Sequence, residues 1–101
     1  MKRIIKGKMY NTETAANVGC WDNGLYCNDL YYCSETLYKK RTGEYFLYCE
    51  GGAGSRYSER DGNFTCYGET IMPLSLQDAK EWVERELNAD TYVELFGEVE
   101  E

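Results

Sequence analysis

The chain has 101 residues, of which 43% are hydrophobic and 29% are charged. This length predicts one domain, residues 1–101, with a modest core, and the hydrophobic content excludes a disordered chain. The formal net charge is −7 and histidine is absent, which disfavours direct nucleic-acid binding and any catalysis that relies on imidazole.

The first third of the sequence predicts a strand, a short helix and a loop. Residues 2–10 have strand character, with Gly7 as a break. Thr12 can cap a short helix over residues 13–18, and Gly19 can end it. Residues 20–29 are rich in turn-forming residues and predict a loop.

A β-hairpin across residues 31–50 is the clearest local signal. Two strand-like segments flank the loop Arg41-Thr42-Gly43, and a three-residue hairpin loop favours glycine at its last position, which is left-handed. Paired residue numbers then sum to 84, so that Lys40 faces Glu44 and Leu37 faces Leu47. Neither face of this hairpin is polar. Both faces therefore need cover, from helices, a second copy of the chain or a partner.

The rest of the chain predicts two more strands and two helices. Residues 51–55 form a glycine-rich loop, and residues 56–60 and 65–74 have strand character. Ser75 begins the strongest helix and Asp90 begins a shorter one. The predicted fold is α+β: a small antiparallel sheet of about four to five strands with a central hairpin at residues 31–50, a short N-terminal helix, and two C-terminal helices packed on one face.

The cysteines indicate a reducing compartment. They stand at positions 20, 27, 33, 49 and 66, an odd number with no C-x-x-C pair. We expect free thiols that act as small hydrophobic groups, with no metal site and no cofactor. No signal peptide or membrane-spanning stretch is evident, which predicts a cytoplasmic protein without a membrane partner. No catalytic residue is proposed, and we do not expect an enzyme.

Negative charge is concentrated in the last third of the chain. Residues 1–68 hold nine Lys/Arg and eight Asp/Glu, whereas residues 69–101 hold two and ten, a net charge of −8. Helical spacing places eight of these acids on the outer faces of two consecutive helices and on the tail that follows them. Solubility alone can explain such a surface, but spaced carboxylates can also occupy a basic nucleic-acid groove of a partner. The predicted partner-binding acids are Asp78, Glu81, Glu84, Asp90, Glu94 and Glu98.

Tyrosine supplies ten of the aromatic residues, against three Phe and two Trp. Its apolar ring and polar hydroxyl suit half-buried sheet faces and interfaces. Tyr38 and Tyr48, on one face of the hairpin, complete the predicted partner-binding set. A homodimer that forms through this face of the hairpin is a further alternative.

Three stretches resemble a known group of proteins. Residues 34–48 with 50–52, residues 71–75 leading into 79–82, and residues 95–98 are similar to small uncharacterised proteins of phages and conjugative elements of Gram-positive bacteria. The resemblance extends over most of residues 1–100 and is weakest at 19–30 and 53–67. No catalytic residue carries over from this group.

Small proteins of such elements often act against host defence, and anti-CRISPR proteins form a large class among them. The resemblance therefore implies an inhibitor of a type II CRISPR effector nuclease, with the host nuclease or its guide-RNA complex as the partner. Two alternatives stay open: an accessory protein–protein interaction module of the element, and a small hydrolase or nuclease.

Overall fold

A four-stranded antiparallel sheet forms the centre of the molecule in the computed structural model, which describes residues 1–100. The strands are β1 (Lys2–Ile5), β2 (Lys8–Asn11), β3 (Ala16–Asp22), β4 (Cys33–Lys39), β5 (Tyr45–Gly51), β6 (Glu59–Asp61), β7 (Phe64–Cys66) and β8 (Gly68–Leu74), followed by α1 (Leu76–Glu86) and α2 (Ala89–Phe96). The central sheet has the order β3-β4-β5-β8, and β1-β2 and β6-β7 form two separate ribbons.

The central hairpin has the predicted register. β4 pairs with β5 so that Leu37 faces Leu47 and Tyr38 faces Phe46. Gly43 has φ +93°, and the Lys40 amide donates to the Glu44 carbonyl at 2.7 Å. The left-handed glycine and the charge pair at the loop therefore set the alignment of both strands.

The two C-terminal helices cover one face of the sheet, as predicted. Ala79, Trp82 and Val83 of α1 are buried against Leu37 and Leu47. The Ser75 side chain accepts a hydrogen bond from the Asp78 amide at 3.1 Å and begins α1. The apolar stripe of α1 thus forms the larger part of the core.

The β1–β2 ribbon covers the opposite face. The two strands turn at Lys6 and Gly7, both with positive φ, so residues 2–10 form a hairpin rather than one broken strand. Tyr10 is buried on Phe46 with ring centroids 5.5 Å apart. A second, smaller core cluster forms here around Phe46 and Ile71.

The predicted N-terminal helix is wrong, and with it the predicted fold class as stated. Residues 16–22 form β3, which pairs with β4 and carries a bulge between Asn17 and Gly19. A six-residue helix is marginal in isolation, so pairing with β4 and packing of Val18 on the core outweigh it. Gly19 does not end a helix: a Cβ there would lie 2.8 Å from Leu87 Cδ2.

The coarser description, an α+β fold with a four-stranded sheet, is consistent with the structure. The predicted strand segments 56–60 and 65–74 correspond in part to β6, β7 and β8; β6 and β7 turn at residues 62–63 and stand outside the central sheet as a ribbon of their own. Within residues 1–100, no helix combines the length and the apolar character that crossing a bilayer requires.

Candidate protein-interaction surface

The six predicted acids all lie exposed on the helical layer or just after it. Helical periodicity places Glu81 and Glu84 opposite the buried side of α1, which faces the sheet. Asp90 and Glu94 stand four residues apart on the outer side of α2, whose Tyr92 and Phe96 pack inward. We call these six residues together the acidic helical surface: Asp78, Glu81, Glu84, Asp90, Glu94 and Glu98.

No cation neutralises the acidic helical surface within residues 1–100. The last third of the chain contains two basic residues, Lys80 and Arg85. Lys80 Nζ lies 5.8 Å from the centroid of the Phe96 ring, and Arg85 Nε pairs with Glu86 at 2.9 Å. The six carboxylates of this surface therefore face solvent and form no salt bridge within residues 1–100.

A shallow cavity lies beside these carboxylates. It has a volume of about 420 Å³ and lies between the end of α1, the start of α2 and the residues that follow α2. Leu87, Tyr92 and Val93 line it, and Glu84 and Glu100 also line it. An apolar depression with carboxylates around it fits a partner side chain that has an aliphatic stem and a positive end.

The two predicted tyrosines do not belong to this surface. Tyr38 and Tyr48 lie on the sheet face that the β1–β2 ribbon covers. Tyr38 stacks on Phe46 with ring centroids 5.3 Å apart, and the Tyr48 hydroxyl lies within hydrogen-bonding distance of Glu50 and Glu69. The structure therefore separates the predicted partner-binding set into six acids on one side of the sheet and two half-buried tyrosines on the other.

Tyr48 also explains how two glutamates can face each other across strands. Glu50 of β5 pairs directly with Glu69 of β8, an arrangement that like charges disfavour. The Tyr48 hydroxyl has a single proton and lies within hydrogen-bonding distance of both carboxylates, and the Tyr67 hydroxyl donates to Glu50. Burial and the hydrogen bond to Glu69 raise the pKa of Tyr48, which holds its proton between the two carboxylates.

A buried carboxylate under α1 was missed from the sequence. Glu35 of β4 is buried on the helix side of the sheet. It accepts hydrogen bonds from Trp82 Nε1 at 2.9 Å, from Arg56 Nη2 at 2.5 Å and from the Tyr57 hydroxyl. Burial raises its pKa, but the hydrogen bonds from Tyr57 and Trp82 and the charge of Arg56 outweigh that effect and lower it.

The signal for Glu35 was present in the hairpin pattern. Strand alternation places residue 35 on the same face as Leu37 and opposite Cys49, an inward position for a charged residue. Arg56 and Tyr57 come from a distant loop, so the partners of Glu35 were not predictable from spacing. The network ties α1, the sheet and residues 56–57 together, which is a structural role.

The cysteines offer little chemistry. All five are free, with Cys33 and Cys49 buried and the other three exposed. Burial raises the pKa of the Cys49 thiol to about 11, so this thiol is protonated at neutral pH. Among residues 1–100, no group of three or more potential metal ligands of the Cys, Asp and Glu types converges.

No protein-family model, curated protein or solved structure matches this chain.

Proposed function

We propose that this protein is an inhibitory binding protein of a mobile genetic element, and that its target is a host nucleic-acid-binding protein, specifically a type II CRISPR effector nuclease. The acidic helical surface occupies the basic groove that normally holds nucleic acid. It acts by competition and performs no chemistry of its own.

One observation carries this proposal: the six carboxylates of the acidic helical surface form no salt bridge within residues 1–100, although the chain contains eleven Lys/Arg. Two helices packed on a sheet hold these groups at fixed spacing. A rigid array of negative charge complements a groove that is lined by lysine and arginine to bind phosphates.

The test is a DNA-cleavage assay with a purified type II effector nuclease and its guide RNA. We expect inhibition at near-stoichiometric amounts, stronger when the protein is added before DNA because both compete for one groove. Charge reversal of three acids, Glu81→Lys, Glu84→Lys and Glu94→Lys, should abolish inhibition.

A matched pair of single variants separates a specific surface from net charge. Glu81→Lys should weaken inhibition about tenfold, which corresponds to ~1.4 kcal/mol. Glu13→Lys changes the net charge equally at an exposed site before β3 and should leave inhibition unchanged. Equal effects of the two variants, or full inhibition by the triple variant, would show that the acidic helical surface is not the binding site. Absence of inhibition by the unmodified protein at any ratio would rule out the proposed target.

A further inference from the structure

Six of the large exposed hydrophobic side chains lie in two segments at the same end of the central sheet. The segment between β3 and β4 carries four of them, and the segment between β5 and β8 carries the other two. They are Leu25, Tyr26, Leu30, Tyr31, Phe64 and Tyr67, with Tyr26 85% and Phe64 78% exposed. We call residues 23–32 and 52–67 together the loop end.

The antiparallel order of the sheet brings the two segments together. The last residues of β3 and β5 and the first residues of β4 and β8 lie at the same end of the central sheet. The Gly52 amide donates to the Tyr32 carbonyl and the Gly54 amide to the Leu30 carbonyl, both at 2.8 Å. The backbones of the two segments are therefore joined at residues 30–32 and 52–54.

The β6–β7 ribbon projects from this end without contributing to the core. All of its strand residues are exposed, and Phe64 begins β7 directly after the turn. A two-stranded ribbon gains little stability by itself, and an exposed phenylalanine at its tip favours aggregation unless a partner covers it. The core does not explain why Phe64 is there.

The chemistry of the loop end resembles that of an antibody-combining site. Tyrosine, glycine and asparagine supply six of the ten residues 23–32, and together with serine they supply eight of the sixteen residues 52–67. These residue types give rigid aromatic contacts together with adaptable hydrogen bonds. With the adjoining strand ends, residues 22–34 and 50–69 contain six Asp/Glu and two Lys/Arg. One of the two cations, Arg56, is already paired with Glu35 at 2.5 Å.

Aromatic rings interleaved with carboxylates that form no salt bridge within residues 1–100 fit arginine. The guanidinium stacks on aromatic faces and forms paired hydrogen bonds with carboxylates. Tyr67 and Glu50 already lie side by side here, joined by a hydrogen bond. An acidic or neutral partner surface would lack this complementarity.

We propose that the loop end is a second protein-binding surface, which takes a partner segment with arginine side chains alternating with apolar ones. It uses none of the carboxylates of the acidic helical surface and does not depend on the proposed function.

The test uses two short synthetic peptides, one of alternating arginine and leucine and one of alternating glutamate and leucine. Titration into the isotope-labelled full chain at about 150 mM salt, where long-range attraction is screened, is followed by NMR. We expect the arginine peptide to shift the amide signals of residues 23–32 and 52–67, and the glutamate peptide to leave them unchanged.

Matched variants locate the binding. Tyr26→Ser with Phe64→Ser should weaken arginine-peptide binding about tenfold, the loss typical of removing aromatic anchors. Ile4→Ser with Met9→Ser removes two hydrophobic side chains of the β1–β2 ribbon, 67% and 49% exposed, and should leave the affinity unchanged. All four side chains are exposed, so both variants should fold, which dispersed NMR spectra check.

The charge-reversed triple variant of the acidic helical surface should bind the arginine peptide as the unmodified protein does, so the two proposals fail separately. Peptide shifts confined to α1 and α2, or equal binding of both peptides, would overturn the inference. So would a dimer in sedimentation that Tyr26→Ser and Phe64→Ser convert to a monomer, because the loop end would then bind a second copy.

Discussion

Glu35 shows how a buried charge can be stabilising in one ionisation state only. Its side chain is 7% exposed, and two neutral donors and one guanidinium surround it. Removing the charge leaves fewer acceptor sites than there are donors, so at least one of the Trp82 indole N–H and the Tyr57 hydroxyl is left without a good acceptor, which costs more than the bond itself contributes. Arg56 is 62% exposed, so its guanidinium can return to water at little cost.

Replacing Glu35 by glutamine should lower the free energy of unfolding by about 2–3 kcal/mol at neutral pH, because the amide cannot accept from all three donors. The measurement is urea unfolding followed by tryptophan fluorescence. Glu13→Gln, at an exposed position, should change the free energy of unfolding by less than about 0.5 kcal/mol.

The same pair of proteins should differ in their pH dependence. The pKa of Glu35 is lowered in the folded state from its ordinary value of 4.5. Its stabilising contribution is therefore complete above that value and is lost as the pH falls through the folded-state pKa. We expect the difference between the unmodified protein and Glu35→Gln to shrink in unfolding experiments taken from about pH 7 to about pH 3. A difference that stays constant over this range would contradict the assigned role.

At the scale of elements, the glycine-rich loop after β5 packs closely against residues 29–32 through its backbone. Its composition resembles that of a phosphate-binding loop, but a Cβ at Gly52 would lie 2.4 Å from the Leu30 carbonyl oxygen and 2.5 Å from that of Asp29. A Cβ at Gly54 would lie 2.7 Å from Tyr31 Cε1. These glycines allow two loops to approach closely, which is a packing requirement.

Two glycine-to-alanine variants should therefore lower the free energy of unfolding by different amounts. Gly52→Ala should destabilise by about 3 kcal/mol or more, since backbone atoms must move. Gly43→Ala should cost only about 1–2 kcal/mol, because its Cβ meets nothing within 4 Å and the penalty is that of a left-handed conformation. Urea unfolding measures both, and equal effects would show that the close approach at Gly52 is not needed.

For the whole molecule, the distribution of charge matters more than its total. The acidic helical surface adds repulsion between carboxylates of α1 and α2, which salt screens. We expect the melting temperature to rise by a few degrees between about 10 mM and about 300 mM sodium chloride. Calorimetry checks this. The variant Glu81→Lys with Glu94→Lys should show a smaller rise, and an unchanged or falling melting temperature in the unmodified protein would contradict the expected repulsion.

Local chemistry made the hairpin and the helices predictable. The Arg41-Thr42-Gly43 loop sets the register of β4 and β5 through residues that are neighbours in sequence, and Ser75 begins α1 through a bond that spans three residues. The outward position of the helical acids follows from periodicity in the same way. Signals of this kind operate over a few residues, so the sequence alone contains them.

Long-range pairing decided the rest. No short-range sequence signal predicts that residues 16–18 are extended. They form a strand because β3 pairs with β4 and Val18 packs against the core. Tyr38 and Tyr48 lie on the opposite side of the sheet from the acids, and Glu35 accepts a hydrogen bond from Trp82. Both facts depend on which face of the sheet each element covers. The sequence by itself determined the hairpin register, the start of α1 and the acidic last third, whereas α2 begins at Ala89 with Asn88 as its cap and not at the predicted Asp90. Only tertiary structure decided what lies against the two sheet faces and which loops share an end, because those contacts join residues far apart in the chain.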